Sequence, residues 1–223
     1  MDDTNPYAPP KAHIETQNTS GVIRENHELR ALARKQLRGG WLVAAGVILV
    51  YNIMVSSVHY FDIFMGWVIP GFIVQFIVGG PATLGLAAFF LNTARGQQVK
   101  FVDFFEGFKN LGKSFLLYLL YAFFVMLWSL LLVIPGIVKM FSYSMAYFIL
   151  KDNPEIGAME AITRSKRMMN GYKGKLFFLY LSFIGWGLLC ILSFGIGLLW
   201  LLPYMLQSMA NFYEDVKYNA MPA

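Results

Sequence analysis

Hydrophobic and polar positions are arranged along this chain in long blocks rather than in the short periods typical of a globular domain. Six blocks are apolar, and the charged residues are concentrated between them. A helix needs about 20 apolar residues to cross the hydrocarbon core of a bilayer, and most of the blocks approach this length. The pattern therefore predicts an all-α, polytopic membrane protein with six transmembrane helices, over residues 41–58, 67–91, 114–134, 136–150, 176–193 and 197–212.

The second apolar block contains the sequence VGGPATLG, which fits either a kinked helix or a re-entrant break at Gly79 to Pro81. The distribution of positive charge favours the kink. With six full crossings, all of the 18 Lys and Arg residues except Lys139 fall on one side, whereas a re-entrant segment would divide them. Because cytoplasmic loops are enriched in Lys and Arg, we expect both termini in the cytoplasm.

Three polar stretches beside the apolar blocks have the periodicity of amphipathic helices, and we expect them to lie in the membrane plane on the cytoplasmic side. One covers residues 26–40. The second places four aromatic rings on one face, namely Phe101, Phe104, Phe105 and Phe108. The third is expected to begin at Asn153 and to end at Gly171. In and after it lie five cations expected to contact lipid or a partner, Arg164, Lys166, Arg167, Lys173 and Lys175.

The expected organisation is a disordered tail over residues 1–25, a six-span membrane domain over 26–216 and a short tail over 217–223. The first tail is polar and contains several prolines, so it buries too little surface to fold. Within the domain, a basic amphipathic helix, a glycine beside Lys or Arg, and a two-span hairpin occur in this order three times. The hairpins end in LAAFFLN, SMAYFILKD and SMANFYED. These units are either an internal repeat or convergent interface chemistry.

Catalytic and metal-binding chemistry has no visible motif in the sequence. There are three histidines and one cysteine, and the HExxH, GxSxG and P-loop patterns are missing. We therefore expect no enzyme activity, no cofactor and no metal site. Lys139, near the outer end of the fourth span, is expected either to reach the outer interface or to line a cavity. Gln75, Ser142 and Tyr143 either line the same cavity or satisfy neighbours across helix interfaces.

The second half of the chain resembles the domain-of-unknown-function 975 family of bacterial integral membrane proteins. The resemblance is carried by DNPEIGAMEAITRSKRMMNGYKGKLF and by LSFIGWGLL with GIGLLWLLPY, and the stretch LRALARKQLRGGW is similar to the family's entry into its first span. It covers roughly residues 28–216. The resemblance implies a polytopic membrane protein with no assigned reaction, and it provides no catalytic residues to transfer.

Two functions are compatible with these features. The first is a non-enzymatic membrane protein whose basic helices bind membrane lipids, with anionic head groups favoured, or a membrane-protein partner. The second is a transporter or channel component for a small solute. The chain has a net charge of +5 and is 57% hydrophobic. In a membrane protein such an excess of cations sets the topology and attracts anionic lipid, so we expect no nucleic-acid partner. The small-residue faces fit either packing within one chain or a homo-oligomer.

Overall fold

The computed structural model describes residues 23–65 and 68–220, and the secondary structure in these ranges is entirely helical. Ten α-helices and one 3₁₀ helix are joined by short turns. They are α1 (Asn26–Gln36), α2 (Trp41–Met65), α3 (Val68–Ala94), the 3₁₀ helix (Phe101–Asn110), α4 (Leu111–Leu131), α5 (Val133–Tyr143), α6 (Ala146–Asp152), α7 (Ala158–Met168), α8 (Lys173–Leu181), α9 (Ile184–Leu192) and α10 (Leu198–Ala220).

Four helical segments among the described residues are long and apolar enough to cross a membrane. They are Val74–Ala94, Phe101–Leu130, Val133–Asp152 and Lys173–Leu192. The count becomes five if α1 and the first part of α2, which are bent by 100° relative to each other, are taken as one span. The apolar helices are therefore consistent with a multi-pass membrane protein, and the number six stays a prediction.

The predicted second and sixth spans differ in how well their helices suit a membrane. α3 continues as one helix through Gly79, Gly80 and Pro81, so the alternative of a re-entrant break there does not hold. α10 is also a single helix, but its second half carries polar residues that are buried in the protein, namely Gln207, Ser208, Asn211 and Asp215. This polarity explains why α10 is not among the four apolar segments.

The three helices predicted to be amphipathic each pack against another helix of the protein. The 3₁₀ helix packs on α3, α7 packs on α6, and α1 packs on α10. The contact between the 3₁₀ helix and α3 is close because two glycines meet there. A Cβ added at Gly107 would overlap the carbonyl oxygen of Pro81, and one at Gly85 would overlap that of Phe104. Each of these three helices thus packs against the last helix of a different predicted repeat unit.

The ends of α3, α6 and α10 are buried in the hydrophobic core. Equivalent positions of LAAFFLN, SMAYFILKD and SMANFYED are buried in all three helices: Ala88, Ala146 and Ala210, followed by Phe90, Phe148 and Phe212. The Phe148 and Tyr213 rings stack with centroids 5.2 Å apart, which joins α6 to α10. We call this region, with Arg95, Asp152 and Glu214 at its tip, the charged end. The correspondence agrees with an internal repeat.

The turns at the other ends of the hairpins are apolar and poorly covered. Leu130 at the end of α4 is 80% exposed, and Phe194 between α9 and α10 is 97% exposed. The side chains of Leu132, Val133 and Ile134 are exposed as well. We call residues 130–134 and 191–197 the apolar turns.

Two sequence-based boundaries need correction, and most of the predicted N-terminal tail lies outside the described residues. Asn153 does not begin α7, which starts at Ala158. Instead, Asn153 ends α6, because both its backbone N–H and its side-chain amide donate to the carbonyl oxygen of Ile149, at 2.9 and 3.0 Å. The predicted C-terminal boundary at residue 216 falls inside α10, which runs on to Ala220.

Candidate functional site

The five cations predicted in and after the third amphipathic helix have different surroundings. Arg164 pairs with Glu160 one turn earlier on α7, at 2.6 Å. Lys175 donates to the carbonyl oxygen of Ile23 at 2.9 Å. Lys166, Arg167 and Lys173 have no carboxylate partner among the described residues, and Lys166 and Arg167 are exposed. Only these last three cations are free to bind an external anion.

Lys139 of α5 lies with these free cations. α5 packs against both α7 and α8, and the Ser165 hydroxyl donates to the carbonyl oxygen of Ser142 at 2.9 Å, which fixes the register of α7 on α5. Ser142 lies one turn from Lys139, so the packing of α7 and α8 on α5 brings Lys166 and Lys173 towards Lys139. The predicted topology had kept Lys139 apart from these two residues.

We call Lys139, Lys166 and Lys173 the basic cluster. Its members come from α5, α7 and α8, and no carboxylate of the described residues neutralises them. The Lys139 ammonium lies 4.1 Å from the centroid of the Trp128 ring, a cation–π contact that holds the lysine against α4. Nearby Phe177 is half exposed. The arrangement combines an unpaired positive charge with an exposed apolar surface, which is suited to an amphiphilic anion.

The predicted aromatic face of the 3₁₀ helix is divided between the protein and its surroundings. Phe104 is fully buried in the contact with α3, and Phe108 is partly buried. Phe101 and Phe105 are exposed, with ring centroids 6.1 Å apart. Of the four predicted rings, only these two are exposed, so contact of Phe101 and Phe105 with lipid stays a prediction.

A cavity of about 570 Å³ lies between α2, α3, α4, α5, α6, α8 and α10. It does not involve the residues predicted to line one. The Ser142 hydroxyl donates to the carbonyl oxygen of Val138 at 2.8 Å, and the buried Tyr143 packs on the Tyr121 ring. Lys139 and Gln75 are not part of its wall. The wall is instead rich in tyrosine, with Tyr51, Tyr118, Tyr121, Tyr147 and Tyr180. These residues are far apart in sequence, so no local motif could indicate the cavity.

The charged end holds an ion network that the sequence pattern did not indicate. Asp152 accepts hydrogen bonds from Arg95, Lys217 and the Tyr213 hydroxyl at 2.7, 2.6 and 2.9 Å. Glu214 pairs with the same Arg95 at 2.7 Å. Burial acts to lower the pKa of Arg95, but its bonds to Asp152 and Glu214 outweigh this effect and raise the pKa. The network is internally neutralised, which favours a structural role over binding.

Comparison with known proteins identifies the family. The model of a family described as a protein of unknown function, DUF975, matches residues 23–142 and 130–220. The chain belongs to the DUF975 family. The predicted resemblance is thereby confirmed. No curated protein and no solved structure matches the chain. Membership of DUF975 thus brings no assigned reaction, and the function of this DUF975 protein has to be inferred from its own geometry.

Proposed function

We propose that this DUF975 protein is a non-enzymatic protein of the bacterial inner membrane that binds the head group of an anionic phospholipid at the basic cluster. The observation that supports this proposal is the packing of α7 and α8 on α5, which brings Lys139, Lys166 and Lys173 together from three helices without a neutralising carboxylate among the described residues. In this proposal the protein has six spans, both termini are cytoplasmic, and its amphipathic helices lie at the inner surface.

Electrostatics favours an anion at this position. Like charges held together repel, so the cluster is more stable when a phosphate lies between the ammonium groups. Each Lys or Arg near an anionic leaflet contributes about 1 kcal/mol to binding. The exposed rings of Phe177 and Phe178 and the indole of Trp128 provide apolar and interfacial contacts for the rest of the lipid.

The test is lipid preference in nanodiscs that contain mixtures of phosphatidylglycerol and phosphatidylcholine. The double variant Lys166→Gln/Lys173→Gln is compared with Lys35→Gln/Lys109→Gln, which removes the same charge at exposed positions of α1 and the 3₁₀ helix. Two cations at about 1 kcal/mol each predict roughly a 30-fold loss of the preference for phosphatidylglycerol in the first variant only. Retained lipid is counted by native mass spectrometry. An equal preference in the two double variants would exclude the basic cluster as the binding site.

A second candidate function is passage of a small neutral solute, and the tyrosine-lined cavity favours it. The Tyr147 hydroxyl in its wall is buried and has no hydrogen-bond partner, and a polar solute could provide one. Solute flux is measured in liposomes with the wild type and Tyr147→Phe. Vesicles that stay sealed to neutral solutes such as glycerol and urea would argue against this function.

A further inference from the structure

A second cavity, of about 440 Å³, lies between α1, α2, α9 and α10, away from the basic cluster. Three of the five tryptophans of the chain line it, Trp41, Trp186 and Trp200. The side chains of Leu189 and Leu201 complete an almost entirely apolar wall. One charged residue, Arg34, also lines the cavity.

Arg34 is exposed, and one hydrogen bond and one ring contact orient its guanidinium. Its guanidinium donates to the Tyr204 hydroxyl and lies 5.5 Å from the centroid of the same ring. Tyr204 is in turn positioned by Phe183 and Trp41, whose ring centroids lie 5.0 and 6.5 Å away. A guanidinium has five N–H donors, and the described residues provide only this one hydrogen-bond acceptor.

A second arginine lies one turn earlier on the same face of α1. Arg30 donates to the carbonyl oxygen of Ser182 at 3.2 Å and lies 5.9 Å from the Phe183 ring centroid. Its Nε is buried without a partner. Neither arginine has a carboxylate partner among the described residues. Two like charges at i and i+4 destabilise a helix, and an anion bound beside them would remove this repulsion.

The size and the lining of the cavity limit the class of ligand that fits it. A methylene group is about as large as a water molecule, about 30 Å³, so the cavity holds roughly 15 of them, which fits one hydrocarbon chain rather than two. Arginine binds a carboxylate through two parallel hydrogen bonds, and indole rings pack well on an acyl chain. We propose that this cavity binds a long-chain carboxylate, with its chain between the three tryptophans and its head group at Arg34.

This proposal is independent of the basic cluster and is tested by tryptophan fluorescence of the full-length protein in a nonionic detergent. 9,10-Dibromostearate is the probe, because bromine quenches an indole only on close contact. We expect saturable quenching of the large fraction of the emission that comes from Trp41, Trp186 and Trp200. Methyl dibromostearate, which has no charge, should need about a tenfold higher concentration, since it lacks the charge-assisted hydrogen bonds to Arg34.

Three variants separate head-group recognition from nonspecific partitioning. Arg34→Gln should raise the half-quenching concentration of dibromostearate about tenfold, whereas Lys109→Gln at an exposed position of the 3₁₀ helix should leave it unchanged. Leu189→Phe, which enlarges a partly exposed side chain in the wall, should reduce the maximal quenching even if Arg34→Gln proves unstable.

Cys190, the only cysteine of the chain, lines the same cavity and provides a second measurement. Bound stearate should slow its reaction with a hydrophobic maleimide by severalfold. Equal quenching by the acid and its methyl ester, or unchanged quenching in both Arg34→Gln and Leu189→Phe, would overturn the proposal. The same holds if a brominated phosphatidylcholine quenches as strongly as the free acid.

Discussion

The charged end and the apolar turns of this protein are stabilised in different ways. At the charged end, aromatic residues such as Phe212 are fully buried, and Asp152 is surrounded by three hydrogen-bond donors. At the apolar turns, Phe194 and Leu130 are almost fully exposed. The charged end is therefore packed like the interior of a water-soluble protein. The apolar turns lack contacts that would keep their side chains from water.

The backbone of the second apolar turn shows which surroundings suit it. Each N–H from Ser193 to Leu201 donates a hydrogen bond within the chain, one of them from Gly197 to the Ser193 hydroxyl at 3.0 Å. In water such completeness is unnecessary, but in hydrocarbon every unpaired N–H costs several kcal/mol. The two regions therefore differ in their surroundings: the charged end is buried by its own chain, whereas the exposed side chains and internally paired backbone of the apolar turns are consistent with a membrane.

The largest difference in stability between the charged end and the apolar turns should appear when one aromatic ring is removed from each. Phe212→Ala leaves a cavity among α3, α6 and α10 and should lower the free energy of unfolding by about 3–5 kcal/mol. Phe194→Ala removes an exposed ring and should change it by less than about 0.5 kcal/mol. Both are measured by thermal unfolding in detergent. A comparable loss in the two variants would mean that Phe194 packs against protein, and the distinction between the two regions would fail.

The second effect concerns the ion network at the charged end. Asp152→Asn leaves Arg95 and Lys217 with a neutral partner in a partly buried position and should cost about 3 kcal/mol. The matched control is Glu160→Gln, which breaks a more exposed pair with Arg164 on α7 and should cost no more than about 0.5 kcal/mol. Melting temperatures of the two variants at equal salt measure the difference. If the two variants have the same melting temperature, the ion network does not stabilise the charged end.

The smallest of the three effects is expected from replacing one of two glycines, Gly107 or Gly187, with alanine. Gly107→Ala forces the 3₁₀ helix away from Pro81 and should destabilise the protein by about 1–3 kcal/mol. Gly187→Ala on α9 meets open space and should be neutral or stabilise the helix by up to about 1 kcal/mol. For both variants, the fraction of protein that stays monodisperse after stepwise heating is measured by size-exclusion chromatography. A stabilising Gly107→Ala would contradict the close contact between the 3₁₀ helix and α3.

Periodicity and composition were sufficient for the parts of the fold that depend on neighbours along the chain. The all-helical class is as predicted, and Ala158, Ala161 and Ile162 are buried on one face of α7 because the 3.6-residue period places them on one side of the helix. The start of α7 was missed because Asn153 can cap either helix end, and only the path of the chain decides which.

The candidate sites depend on how the helices meet, which the sequence alone did not determine. Lys139 and Lys166 are 27 positions apart, and Arg34 reaches the cavity that contains Trp200 only because α1 packs on α10. The sequence was sufficient to predict an apolar, helical chain with its cations in a few stretches, since these properties follow from residue type and spacing. Which cations are paired, which rings are buried and where the cavities lie depend on long-range packing, and only the tertiary structure decided them.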